Sequence, residues 1–78
     1  MSFHVKIAKV GEDLFDGEAD VLFVPGSEGE LTVLSHHEPF VTPLKKGAVR
    51  LRANKEEKTF DIERGILEVS ANEATILL

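Results

Sequence analysis

The side chains able to do chemistry in this chain are its histidines and its clustered carboxylates. His36 and His37 are adjacent, and a neutral imidazole is a good zinc ligand and proton shuttle. Neighbours on an extended chain point to opposite faces, however. The pair can grip one ion only across a sharp local turn, and His4 lies far off in sequence. Glu12, Asp13, Asp16, Glu18 and Asp20 form an acidic cluster. Its spacing lacks the fixed odd positions and central glycine of a calcium loop, so it reads as a solvated face. Glu28 and Glu30 flank Gly29. Two carboxylates work as an acid/base pair only in a cleft that separates their pKa values, and an exposed glycine turn supplies none. The same two acids repel phosphate, and no Lys-Ser/Thr ending follows them. The chain also lacks cysteine, a nucleophile-elbow pattern and a dinucleotide fingerprint. The residues favour an interaction module over an enzyme, with no cofactor and no metal expected. The competing reading is a free-standing β module that binds a metal or small molecule through the His36/His37 loop.

The elements that carry these residues alternate with period two. Phe3, Val5 and Ile7 face one way, with His4 and Lys6 the other. Val49, Leu51 and Ala53 alternate with Arg50 and Arg52, and Leu67 and Val69 alternate with Glu68 and Ser70. Turn signals separate the runs at Gly11, Asp16-Gly17, Pro25-Gly26 with Gly29, His36 to Pro39, Lys46-Gly47, Asn54-Lys55, Gly65 and Asn72. Strands are expected at 2–10, 14–18, 20–25, 30–34, 40–44, 47–53, 58–63, 65–70 and 73–78. Short strands at near-regular spacing predict an all-β fold. The expectation is one domain over 1–78, a flattened two-sheet antiparallel β-sandwich of about nine to ten short strands. Ala74 to Leu78 breaks the alternation, which predicts a strand covered on both faces or one that lacks a neighbour.

With 78 residues, the chain makes one small domain. Its net charge of −5 argues against nucleic acid as the main partner, because phosphate binding needs a basic footprint. The positive charge concentrates in Lys45, Lys46, Arg50, Arg52, Lys55 and Lys58, a basic edge on an acidic body. No apolar run approaches the roughly 20 residues that cross a bilayer as a helix, so no direct membrane insertion is expected. The alternating start resembles neither a signal nor a transit peptide.

Four segments, in order, resemble the ε subunit of F-type ATP synthases, in its N-terminal β-sandwich domain. They are Phe15-Asp16-Gly17-Glu18, Pro25-Gly26-Ser27-Glu28-Gly29-Glu30-Leu31, His37-Glu38-Pro39-Phe40-Val41-Thr42 with Leu44 and Gly47, and Gly65-Ile66-Leu67-Glu68-Val69. Ser35-His36-His37 stands where the family often has Pro-Gly-His, and Arg64 replaces the first glycine of a frequent Gly-Gly pair. The resemblance implies a non-catalytic rotor subunit of the central stalk in a proton-translocating synthase. It would couple the γ subunit to the membrane c ring. Ser27, Glu28, Glu30 and His37 resemble the end facing the c ring, and Thr42 lies in a strand resembling the γ-facing surface. Family members usually continue into a C-terminal helical hairpin. Without it, inhibition of ATP hydrolysis and nucleotide binding are not expected. The absence of a transit segment points to the cytoplasmic face of a bacterial inner membrane, as a peripheral subunit.

Overall fold

The computed structural model describes all residues 1–78, and every regular element in it is a strand. The strands are β1 (Phe3–Lys9), β2 (Glu12–Ala19), β3 (Val21–Gly26), β4 (Gly29–Val33), β5 (Phe40–Leu44), β6 (Gly47–Ala53), β7 (Glu56–Ile62), β8 (Gly65–Ser70) and β9 (Glu73–Leu77). They hydrogen-bond in the order β2-β1-β9-β8-β5-β3-β6-β7, with β4 on the free side of β3. One pair, Gly26 with Leu44, joins β3 to β5. The ladder therefore turns a corner there and folds into two layers, β2-β1-β9-β8-β5 and β4-β3-β6-β7.

The corner has a local cause. β5 and β6 meet the same edge of β3, separated only by Lys45 and Lys46. Lys45 N–H donates to the Pro25 carbonyl at 2.9 Å, and Ser27 N–H donates to the Pro43 carbonyl at 3.1 Å. The extra residues let one edge of β3 serve both layers. Gly47 fits this crossing because a Cβ there would sit 2.9 Å from the Pro25 side chain.

Alternation places one apolar set from every strand inside. Phe3, Val5, Ile7, Leu22, Val24, Val49, Leu51, Leu67 and Ile76 are buried within a single cluster of 15 residues, and no polar side chain is buried with them. A core drawn from both layers explains why neither layer is independent of the other.

The expected sandwich of nine or so short strands is what the chain forms. One ladder departs from the antiparallel expectation, since β1 and β9 run parallel, from His4 with Glu73 to Ala8 with Leu77. A hairpin turn imposes antiparallel pairing, whereas a long connection does not. β1 and β9 are joined through the whole domain, so they are free to align. β2 is also longer than expected, because the ladder to β1 survives a register shift between Ile7 and Ala8.

β2 and β7 are edge strands, and their exposed positions carry Glu12, Asp13, Asp16 and Glu18, and Glu56, Glu57 and Asp61. Charge on an edge discourages pairing with another chain. The seam between the two edges closes with side chains. The Phe15 and Phe60 rings meet edge to face at 6.2 Å, and Lys58 Nζ lies 5.5 Å from the Phe15 ring centre. This accounts for the Phe15-Asp16-Gly17 segment. The Phe15 ring lies over Gly17, where a Cβ would come within 3.3 Å of it.

Candidate functional site

The β3–β4 hairpin forms one end of the sandwich. Gly26 pairs with Gly29, leaving Ser27 and Glu28 as a two-residue turn. Gly29 has φ of +135°, and a Cβ on Gly26 would lie 2.6 Å from the Gly29 carbonyl oxygen. Both glycines are therefore required by the turn, which explains the Pro25-Gly26-Ser27-Glu28-Gly29 spacing. Ser27 and Glu28 are exposed at its tip. Glu30 is exposed one step into β4, opposite Pro25. The turn at Lys45-Lys46 sits beside this tip, through the bonds to Pro25 and Ser27. Two acids and two lysines thus crown one end, all in contact with water.

His37 does not join them. β4 runs away from the tip, and β5 returns only after the 34–39 loop. Val33 pairs with Leu22 near the start of β3, while Leu44 pairs with Gly26 at its end. The loop holding His36 and His37 therefore lies at the opposite end of the sandwich. A strand rises about 3.3 Å per residue, so the five residues of β4 hold the two turns about 16 Å apart. Ser27, Glu28 and Glu30 form one group in space and His37 lies apart from them, although the resemblance assigns all four to one end.

The histidines themselves are held apart. His36 adopts φ of +64°, while the His37 ring packs on Phe40 with centres 4.9 Å apart. His37 Nδ1 lies 3.1 Å from the Glu38 carbonyl oxygen. The third histidine, His4, stands on β1 with Nε2 2.6 Å from Asp16 Oδ1 and Nδ1 3.4 Å from Glu18 Oε2. Its two nitrogens face different carboxylates, so they do not converge on one point. No three His, Asp or Glu side chains come together in a metal-holding group. The metal reading of the His36/His37 loop has no ligand set.

Thr42 lies half-buried on β5, on the same side of the strand as Phe40 and Leu44, with its hydroxyl 3.4 Å from the Pro43 carbonyl. Its neighbours Val41 and Pro43 face outward. Pro43 pairs with Ile66 on β8, and Ile66 pairs with Leu77 on β9. Val41 is 64% exposed, Ile66 50% and Leu77 54%, so an apolar strip crosses three strands of the first layer. Sequence reasoning missed this strip. Its signal was the broken alternation at the C-terminal end. Ile76 fills the core there, while Leu77 points to water.

The chain matches, over residues 2–78, the family described as ATP synthase, Delta/Epsilon chain, beta-sandwich domain. It is 38% identical over 78 residues to the ATP synthase epsilon chain 1 of Methylococcus capsulatus, covering 99% of this chain and 56% of that one. It is 38% identical to the ATP synthase epsilon chain of Caulobacter vibrioides over 74 residues, covering 95% of this chain and 86% of the relative. The chain thus spans little more than half of the Methylococcus relative and most of the Caulobacter one. Among solved structures, it superposes on a chain of the Euglena gracilis mitochondrial ATP synthase with a TM-score of 0.91 at 19% identity, over 97% of this chain and 49% of that one. A chain of the Tetrahymena thermophila mitochondrial ATP synthase central stalk and c ring gives 0.79 at 15% identity, over 95% and 60%. At such identities the superpositions show a shared fold.

Proposed function

The chain belongs to the ATP synthase delta/epsilon chain β-sandwich family, and from that premise we propose that it is a non-catalytic module of the rotor's central stalk. In this reading it joins the γ subunit to the membrane c ring of a proton-translocating synthase. It is a peripheral part of a membrane complex, on the cytoplasmic face of a bacterial inner membrane. The observation that carries the proposal is the Caulobacter relative, an epsilon chain matched across 86% of its length.

The architecture suits a joint that must not slip. A charge crossing a membrane releases about 2.3 kcal/mol per 100 mV, and several such steps accumulate before one ATP leaves the catalytic head. The joint must withstand that load. An interface of nanomolar affinity, about 12 kcal/mol, is sufficient. A single packed core common to both layers transmits strain instead of absorbing it.

Within this proposal, Ser27, Glu28 and Glu30 form the surface facing the c ring, where carboxylates can pair with polar or basic loops of the ring. β5, with Thr42 and the outward Val41 and Pro43, forms the surface facing γ. His37, which the resemblance groups with the ring-facing residues, lies at the other end of the sandwich with its ring on Phe40 at the start of β5, and its contribution is tested separately. The test is ATP-driven proton pumping in reconstituted membranes. Replacing Glu28 and Glu30 together by alanine is expected to lower pumping more than His37→Ala does. Unchanged pumping and unchanged retention of the c ring would remove the tip from the proposal.

A further inference from the structure

The apolar strip on the outer face of the first layer has no partner within the chain. Pro43, Ile66, Leu77 and Ala8 stand in one row across β5, β8, β9 and β1. Charge brackets this row on β8. Arg64 precedes Ile66 by two residues and Glu68 follows it by two, so the period of a strand turns both toward the face of Ile66. Arg64 lines the same groove as Pro43, Ile66 and Leu77. Both charged residues are exposed, and neither takes part in an ion pair or a side-chain hydrogen bond within the chain. Arg64 is also where this chain departs from the frequent Gly-Gly pair, a feature the rotor reading leaves unused.

We propose that a second copy of this chain covers the strip, related to the first by a two-fold axis that runs along the row, across the strands. Such an axis sets Ile66 on Ile66 and Leu77 on Leu77 of the other copy. It reverses position along each strand, so Glu68 of either copy meets Arg64 of the other. On β5 the same operation sets Val41 against Lys45, and no like charges are opposed on either strand. A two-fold contact needs a surface complementary to itself. An apolar row with opposite charges at equal spacing on its two sides is such a surface, whereas an unrelated partner has no need of that symmetry. The size of the molecule sets the strength. It measures 29 × 23 × 20 Å, so even its broadest face buries less than the standard of about 800 Å² per partner. The pair is therefore weak and governed by concentration. It covers Val41 and Pro43, the surface assigned above to γ, so the dimer is a form of the chain outside the rotor. The proposal does not rest on the rotor reading.

The test is sedimentation equilibrium of the full chain from about 1 μM to about 1 mM, a span of moderate to weak affinities, with amide NMR spectra at both ends. The mass is expected to rise from one chain toward two, and the amides of Val41, Ile66, Glu68 and Leu77 to shift with concentration. Arg64→Glu should weaken the dimer at least about tenfold, because it opposes two glutamates and the symmetry counts that contact twice. Glu68→Arg should weaken it likewise. An equimolar mixture of these two variants should regain the dimer, since each copy then supplies one sign. Ile66→Thr, which keeps the branched shape suited to a strand, should also weaken it. Dispersed spectra confirm that each variant is folded. Vesicles of phosphatidylcholine form a second arm. The mass of one chain throughout, shifts confined to the second layer, an undiminished dimer in Arg64→Glu, a mixture that stays monomeric, or sedimentation with the vesicles in place of self-association would overturn the proposal.

Discussion

Replacing His36 by glycine should make the protein more stable. The backbone at His36 has φ of +64°, the left-handed region in which a Cβ crowds the following carbonyl at a cost of about 1–2 kcal/mol. The ring offers nothing in return. It is exposed and makes neither a hydrogen bond nor an ion pair. Glycine removes the crowding but gives the unfolded chain more freedom, which takes back about 0.5–1 kcal/mol. The difference is a net gain of about 0.5–1 kcal/mol. In a domain of this size that raises the thermal midpoint by about 2–8 °C. Far-UV circular dichroism on heating measures it, with His36→Ala as the control that keeps the Cβ and so gains nothing. A glycine variant that melts no higher than the alanine variant would refute the reasoning.

Three further outcomes follow from particular contacts. Gly26→Ala should destabilise the protein by more than about 2 kcal/mol in urea unfolding, because its Cβ would meet a backbone oxygen at 2.6 Å that no rotamer can move. Lys55→Gly should stabilise the β6–β7 hairpin by about 0.5 kcal/mol, since Asn54 and Lys55 both have positive φ, at 50° and 71°, the geometry that Asn-Gly turns favour. Phe60→Ala should cost about 2 kcal/mol, less than for a fully buried ring, and should speed amide hydrogen exchange in β2 and β7 before any other strand, because the Phe15–Phe60 contact closes their seam.

Most strands were legible because burial of one face forces strict alternation, and Val49 to Ala53 or Gly65 to Ser70 could satisfy a core in no other way. The turns were legible where glycine is sterically required, as at Gly26 and Gly29. Three features were hidden. The parallel β1–β9 ladder depends on which distant strands meet, which local alternation does not encode. The separation of His37 from Glu30 was hidden because closeness along the chain is reversed by a strand that runs the length of the sheet. The Arg50–Phe23 stack arises across β3 and β6, so it is visible only once their register is known. The basic cluster had been visible as composition. The fold divides it, placing Arg50 and Arg52 on a layer face while Lys58 caps the Phe15 ring at the seam.

Co-purification of the tagged chain with a bacterial γ subunit and c ring, expressed together, tests the coupling role most directly. The account predicts that the chain elutes with γ in equal amount and that the ring follows. Elution of the chain alone, beside a γ and c-ring assembly that forms without it, would contradict the account.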